Sequence, residues 1–340
     1  MRRTVLPIFK TLSRGGLPGL LALASLLATG CSRSVITTTV KPDGAFTRKI
    51  VFHGPKPNEK ADAGAFVAPG GGEMTDTFEM PSGGPWKTKR EKLDNEETYT
   101  AERELTPGSV QKKDIVIKSG DKMKPGIFVV NEATVRSIGP GRWEYRETLH
   151  WVGKAPNAVT TVDPDMALAI KASLPPAMAT DANVHPIALA LNRELWHLLF
   201  GPGDPLISSW TQFMMQPEAV ERKMMIRMSV GVDKALAAQF GDKLTAEQRH
   251  IYVRRIISGV VAGMNAKTTK SADPSKIGAS PDLGDAALAA LTFSVTLPGK
   301  IVSTNGERDD LTGQVYWSVY PQAAALGDVE MTAVCDTKAP

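Results

Sequence analysis

The architecture of this chain follows from the segment Leu291-Thr-Phe-Ser-Val-Thr-Leu-Pro-Gly299, which returns the sequence to β-structure after a long helical region. Its apolar residues alternate with Thr and Ser, which is the period of a strand with one buried face, and Pro-Gly ends it. A second β-like run covers 300–304, an Asn-Gly turn follows, and Val315-Tyr-Trp-Ser-Val319 forms a third run. We predict a C-terminal β-meander over residues 291–340, with its last strand at 328–334.

The N-terminal part of the chain predicts further strands. Val35-Ile-Thr-Thr-Thr-Val40 is rich in β-branched residues, and the run from Phe46 to Phe52 alternates between two faces. Because Asp43-Gly44 lies between them, we predict a β-hairpin. Residues 54–95 carry repeated Pro and Gly and are predicted to form a long mobile loop. The β-rich region as a whole covers residues 31–160, with further extended segments at 99–105, 114–118, 127–137 and 142–152.

The intervening residues, 161–290, have the pattern of helices. Asp163-Pro164 combines an N-cap residue with a Pro suited to the first helical position. Thr245-Ala-Glu-Gln248 has the form of a capping box. The predicted helices span 164–174, 182–200, 205–215, 217–240 and 246–263, and a linker is predicted at 265–285.

These regions predict an α+β fold: an antiparallel β-sheet built from the N- and C-terminal segments, with a helical insertion in the middle. Because the last strands follow the helical block, the simplest packing returns them to the first sheet and places the helices over one of its faces. Two independent domains are the alternative arrangement.

The first thirty residues have the composition of a secretory signal peptide. A basic segment, MRRTVLPIFKTLSR, precedes an apolar stretch at 16–30 with the core LLALASLLA. This stretch is shorter than the roughly 20 residues that a membrane span needs, and it fits the apolar region of a signal peptide. An uncleaved signal anchor is the alternative.

The end of this stretch, Leu27-Ala-Thr-Gly-Cys31, resembles the lipobox of bacterial lipoproteins. The resemblance implies cleavage between Gly30 and Cys31 and acylation of Cys31, and two or three acyl chains together form an anchor that hardly dissociates. It further implies a lipid-anchored protein of the bacterial cell envelope that faces the periplasm or the exterior. Ser32 stands where enterobacterial lipoproteins retained in the inner membrane carry Asp, so the resemblance favours the outer membrane.

Composition excludes several other classes of protein. The 340 residues are 42% apolar, enough to bury a core, and two Cys exclude a disulfide framework or a Cys-based zinc site. Removal of residues 1–30, which hold four basic residues and no acidic one, leaves 36 basic against 36 acidic residues. The basic pI therefore reflects the leader and predicts no nucleic-acid interface.

Cys335 continues the apolar alternation of Val329, Met331 and Ala333. This pattern predicts that Cys335 is a small buried hydrophobic residue, with a reactive thiol as the alternative.

Part of the C-terminal region resembles the β-sheet domain of LppM-type bacterial lipoproteins. Leu297-Pro-Gly-Lys-Ile-Val-Ser-Thr-Asn-Gly306 followed by Val315-Tyr-Trp-Ser-Val319 carries the resemblance, which covers about forty residues. In that family a strand ends in an apolar-Pro-Gly turn, a second strand ends in Asn-Gly, and a third carries a Trp. The resemblance implies a cell-envelope lipoprotein with an α+β, lipid-facing domain and supplies no catalytic residues.

Side chains able to carry catalysis are sparse and have structural explanations. Glu194 and His197 share a polar helix side, where a solvated charge pair is favoured over a pair of metal ligands. Asp163 with Asp165, and Asp309 with Asp310, stand at a helix start and beside a turn. We predict no catalytic residues, no metal site and no cofactor, and keep a hydrolytic enzyme as a less favoured alternative.

An apolar cluster in the helical region suggests a binding site. Flexible thioethers beside aromatic rings can line a groove for a lipid or a peptide helix, although filling of the helical core explains them as well. The cluster contains Trp210, Phe213, Met214, Met224, Met225 and Met228. The sequence therefore predicts a lipid-anchored protein that binds or scaffolds, with the membrane and other envelope proteins or lipids as partners. A carrier of a lipid or other hydrophobic ligand is the alternative.

Overall fold

The computed structural model describes residues 33–55, 78–93, 96–118, 127–153, 157–201, 217–270, 290–309 and 312–338. These residues divide into two compact units. The β unit contains the described residues up to 153, residues 200–201 and those from 290 onward. The helical unit contains residues 157–199 and 217–270. The predicted α+β class is confirmed, because the helices stand in the chain between N-terminal and C-terminal strands.

The β unit contains a seven-stranded sheet and a six-stranded sheet. The first has the order β11-β12-β9-β1-β2-β5-β4, with β1 Arg33–Val40, β2 Phe46–Pro55, β4 Lys87–Leu93, β5 Glu96–Leu105, β9 Leu291–Thr296, β11 Glu307–Asp309 and β12 Gln314–Val319. The second has the order β10-β13-β8-β7-β6-β3, with β3 Phe78–Glu79, β6 Val110–Lys118, β7 Ile127–Gly139, β8 Arg142–Trp151, β10 Lys300–Thr304 and β13 Val329–Asp336.

Both sheets combine strands from the two ends of the chain. In the first sheet β1 pairs with β9, and Ser34 lies opposite Leu291. This pair is parallel, whereas the sequence predicted one antiparallel sheet. Parallel neighbours need a long connection, and the chain between the two strands supplies one. In the second sheet β13 pairs antiparallel with β8.

The inner faces of the two sheets pack against each other and form the core of the β unit. Tyr145 of β8 lies with its ring 5.8 Å from that of Trp317 of β12, and Phe52 of β2 lies 4.8 Å from Phe78 of β3. The inward positions of β13 end at Cys335, which is fully buried, so its predicted role as a small core residue is confirmed.

The β1–β2 hairpin has the predicted turn, with Val40 opposite Phe46. Gly44 has φ +83°, a conformation that favours glycine. A Cβ at this position would also collide with the ring of Trp143. Gly44 is thus required both by the backbone and by the side chain above it.

Strands β3 and β4 lie inside the segment 54–95 that the sequence predicted as a loop; the rest of that prediction, 56–77 and 94–95, lies outside the described residues. Strand β4 has the sequence Lys-Thr-Lys-Arg-Glu-Lys-Leu. Because it lacks an apolar face, hydrophobic alternation could not predict it as a strand. It is an edge strand held by pairing with β5, and the guanidinium of Arg90 bonds to Glu97 on that neighbour. Charged edge strands of this kind resist pairing with other chains.

The helical unit has a single described core. Its helices are α1 Asn157–Thr160, α2 Pro164–Ser173, α3 Asp181–Phe200, α4 Pro217–Phe240 and α5 Ala246–Lys270, the last residue of α3 belonging to the β unit. Apolar side chains of α2 to α5 meet in one cluster around Ile187, Leu191, Val232 and Ile256, all fully buried.

Helix boundaries follow the predicted capping chemistry. Asp163 accepts hydrogen bonds from the backbone N–H groups of Asp165 and Met166. The predicted capping box is present, because Gln248 and Thr245 each accept from the other's backbone N–H. Helix α5 continues to Lys270, seven residues beyond its predicted end, and the predicted helix at 205–215 lies outside the described residues. Among the described helices none is long and apolar enough to cross a bilayer.

Candidate functional site

The β unit encloses a network of ionisable side chains between its two sheets. Arg48 of β2 and Glu147 of β8 are 0% exposed, and Asp114 of β6 is 5% exposed. Tyr145 of β8 and Asn131 of β7 complete the network from the same inner faces. Charged side chains are almost never fully buried unless they are paired, because burial removes their hydration.

Each N–H of the Arg48 guanidinium has an acceptor. Nε donates to Oδ2 of Asp114, and Nη2 donates to Oδ1 of the same residue at 3.5 Å. Nη1 donates to Oε2 of Glu147 at 3.0 Å and to the hydroxyl of Thr38 at 3.1 Å. Nη2 also donates to Oε1 of Glu147 at 2.6 Å. These bonds use the five donors of the guanidinium and leave none for a ligand.

Glu147 is equally saturated as an acceptor. Besides the two bonds from Arg48, Oε1 accepts from Nδ2 of Asn131 at 2.8 Å, and Oε2 accepts from the hydroxyl of Tyr145. A carboxylate has about four acceptor positions, and all of them are occupied here. Glu147 therefore takes part in the network only as an acceptor.

A β-bulge in β6 delivers Asp114 to this network. The register of β6 against β7 shifts between Lys112 and Val116, and Lys113 has φ +58°. At the bulge the backbone N–H of Ile115 bonds to Oδ1 of Asn131 at 2.8 Å, so the Asn131 side chain replaces a missing strand partner. The same side chain donates through Nδ2 to Asp114 and Glu147.

The surroundings shift the ionisation of two members of the network. Burial would lower the pKa of the Arg48 guanidinium, but the charges of Asp114 and Glu147 raise it well above its ordinary value. Burial and the neighbouring Glu147 charge raise the pKa of the Tyr145 hydroxyl well above its ordinary value. Arg48 is thus a fixed cation, and Tyr145 is a neutral donor.

The saturated network is an internal tie between the two sheets. Its members share their donors and acceptors with one another, and each is buried. The sequence predicted no such network, although it contains one signal of it: Arg48 occupies the same strand face as Phe46, Ile50 and Phe52. A charged residue among apolar residues on one strand face indicates either that the face is exposed or that the charge has a buried partner. For Arg48 the partner is Glu147, which lies 99 residues further along the chain.

The structure describes only three of the six residues predicted to line a ligand groove. Trp210, Phe213 and Met214 lie outside the described residues. Met224 and Met228 are buried members of the helical core, and Met225 is partly buried against it. For these three methionines the burial agrees with the alternative interpretation, in which they fill the helical core. A groove that also involves Trp210, Phe213 and Met214 stays a prediction.

Of the residues considered for catalysis, Asp310 lies outside the described residues, and the described ones belong to no larger group of ligands. Asp163 is a helix cap, and Asp309 accepts a hydrogen bond from the hydroxyl of Thr312 at 2.7 Å. The methylene carbons of Glu194 pack against Gly231 of α4. Within the described ranges no group of three or more His, Cys, Asp or Glu side chains is arranged to hold a metal ion.

The predicted lipidation site, Cys31, and the predicted cleavage position between Gly30 and Cys31 lie outside the described residues. The start of β1 nevertheless limits the distance between Cys31 and the β unit. Strand β1 begins at Arg33, two residues after Cys31. Two residues span at most about 7 Å between Cα atoms. Any anchor on Cys31 would therefore hold the adjacent end of the β unit close to the bilayer.

This end of the β unit, here called the N-terminal end, can be traced through strand register. In the first sheet Ser34 lies opposite Phe52 and Leu291. The ring of Phe52 contacts Phe78, which lies opposite Ile117 of the second sheet. Register then continues from Ile117 to Val129 and from Val129 to Trp151.

Comparisons with known proteins give no relative for this chain. No protein-family model matches it, and no curated protein and no solved structure is similar to it at a significant level.

Proposed function

We propose that this chain is a lipid-anchored protein of the bacterial cell envelope that acts by binding or scaffolding, held against the membrane through Cys31. The observation that carries the proposal is the sequence from residue 1 to Cys31, a basic segment followed by an apolar stretch and by Leu-Ala-Thr-Gly-Cys. Its resemblance to the lipobox supports cleavage before Cys31 and acylation of that cysteine. The limited resemblance to the LppM-type domain supports the same compartment.

The position of β1 supports a short tether. Many surface proteins need a flexible stalk to work at a distance from the bilayer, whereas this β unit begins two residues after the proposed acylation position. With the proposed anchor on Cys31, the β unit would lie close to the bilayer. A role in binding partners or lipids at the membrane surface fits this placement better than one that requires reach.

The buried network around Arg48 has the features of a structural element and not of a catalytic site. A catalytic centre needs at least one group that can meet a substrate, and the members of this network spend their hydrogen bonds on one another. We therefore assign no catalytic chemistry to this network.

Mass spectrometry of the protein extracted from its own membranes tests the lipid anchor. We expect the N-terminal peptide to begin at Cys31 and to carry the mass of diacylglycerol with or without a further acyl chain. The C31S variant should lose this mass and leave the membrane fraction. The C335S variant is the matched control, since it removes the only other cysteine and should retain the lipid.

An unmodified Cys31 peptide, or a mature protein that retains residues 1–30, would contradict the anchor. Native mass spectrometry of a soluble form that begins after Cys31 then separates scaffold from carrier. A clean apo mass together with copurifying envelope proteins on the extracted form supports scaffolding. A small molecule retained by the soluble form would contradict it in favour of a carrier.

A further inference from the structure

We propose that the N-terminal end of the β unit is a membrane-contact surface, with the side chains of Trp151 and Phe128 lying in the headgroup layer of the bilayer. This inference rests on the lipid anchor proposed above and adds the surface and the residues that meet the lipid. Its occupant is the bilayer itself, because a single residue, Ser32, separates the proposed acylation position from the start of β1 at Arg33.

The distance between the anchor and the N-terminal end of the β unit is short. Cys31 precedes Ser34 by three residues, which span at most about 11 Å. The headgroup and interfacial region is roughly 5–8 Å thick on each side of the hydrocarbon core. With acyl chains on Cys31 inside the core, the start of β1 lies within or directly above the headgroups.

Trp151 lies at the same end of the β unit as Ser34. Ser34 and Trp151 belong to different sheets, and stacked sheets lie about 10 Å apart. Register connects both residues to the Phe52–Phe78 contact through Ile117 and Val129. An anchor at β1 therefore brings the end of β8 to the bilayer as well.

Aromatic and apolar side chains are partly exposed at this end. The rings of Phe128 and Trp151 lie 5.1 Å apart, and both side chains are partly exposed. The next residue, Val152, is 41% exposed, and its backbone N–H bonds to the carbonyl of Phe128 at 2.8 Å. Partly exposed Trp side chains are enriched at the membrane–water interface, where the apolar part of the ring meets the headgroup layer.

The opposite end of the same strand provides a built-in comparison. Trp143 also belongs to β8, eight residues before Trp151, which corresponds to about 27 Å along a strand. It lies over Gly44 in the hairpin that joins β1 to β2, the end away from Cys31. The two tryptophans should therefore differ in their access to lipid.

Fluorescence quenching by lipid tests this surface. The mature chain from Cys31 to Pro340 is coupled through the Cys31 thiol to phosphatidylcholine vesicles that contain a maleimide lipid and lipids brominated near the headgroup. Cys335 is fully buried and does not compete for the maleimide. We expect bromolipid to quench the wild-type protein at least twofold more strongly than the W151F variant, whereas W143F should be quenched like the wild type.

A second variant protects the test against a W151F protein that fails to fold. V152W adds a tryptophan at an exposed position of the same end, and its quenching should exceed that of the wild type. Equal quenching of W151F, W143F and wild type, with no gain in V152W, would overturn the membrane contact. So would a Trp151 shielded from lipid but crosslinked, in whole cells, to another envelope protein.

Chemical coupling separates this proposal from the lipid anchor. If cells leave Cys31 unmodified, the anchor fails, yet the vesicle measurement still reports whether this end can contact lipid. If Cys31 is acylated but Trp151 is not quenched, the anchor stands and the membrane-contact surface fails.

Discussion

Arg48 and Glu147 form a two-point salt bridge across the two sheets of the β unit, with Nη1–Oε2 at 3.0 Å and Nη2–Oε1 at 2.6 Å. Both side chains are 0% exposed, and Asp114 completes the pairing of the guanidinium. A bidentate pair of this kind fixes the lateral position of one sheet on the other, because the planar guanidinium accepts few alternative geometries.

Removal of one partner from this bridge should destabilise the β unit strongly. E147A leaves the Arg48 charge partly unpaired in the buried interior, and we expect a loss of about 3–5 kcal/mol in the free energy of unfolding. Glu132 offers the control, since its pair with Lys112 at 3.0 Å is solvent-exposed and E132A should cost about 1 kcal/mol or less. Denaturant unfolding of the soluble mature form measures both values. Similar losses for the two variants would show that the buried bridge has no special role.

Tyr145 should make the protein sensitive to alkaline pH. Its pKa is raised in the folded protein, so above the ordinary tyrosine pKa of about 10 the unfolded chain releases a proton that the folded protein retains. The unfolded state then binds fewer protons, and stability falls as the pH rises. Unfolding curves collected from neutral to alkaline pH should show this decline.

The Y145F variant removes this titration. It should be less stable at neutral pH by about 1–2 kcal/mol, because Glu147 loses a donor. Its stability should also fall less steeply than that of the wild type above the ordinary tyrosine pKa. Parallel curves for the two proteins in the alkaline range would contradict the assignment.

Gly44 should be far less tolerant of substitution than another glycine of the same backbone conformation. G44A introduces a methyl group into the Trp143 ring in addition to the backbone cost of about 1–2 kcal/mol at positive φ. Gly83 has φ +73° and open space around it, so G83A isolates the backbone cost. The difference between their melting temperatures measures the packing against Trp143. No difference would mean that the ring moves aside at little cost.

Met228 should behave as a core residue of the helical unit. It is 1% exposed on α4, whereas Ile226, two residues earlier, is 58% exposed. We expect M228K to cost several kcal/mol, because it buries a charge without a partner, and I226K to lie within about 0.5 kcal/mol of the wild type. Circular dichroism during denaturation compares the two.

A tolerated M228K substitution would instead indicate a solvent-accessible groove at Met228. Because Met228 is buried, a charged substitution there would lower the stability of the helical unit whether or not a ligand binds.

The sequence by itself determined the elements whose signal is local. Alternation at 35–40 and 291–297, the Asp43-Gly44 turn, the Asp163 cap and the capping box at Thr245 each act over a few residues, and the structure contains all of them. The proposed anchor at Cys31 likewise depends on a contiguous segment. Local backbone preference and hydrophobic period suffice for such features.

Tertiary structure alone decided how those elements pair and what they bury. The parallel pairing of β1 with β9, the division into two sheets and the charged edge strand β4 depend on partners distant in sequence. The same holds for Arg48, whose register suggested a core face but whose carboxylate partners lie 66 and 99 residues further along the chain. A buried charge is compensated through space, and residue spacing along the chain does not carry that information.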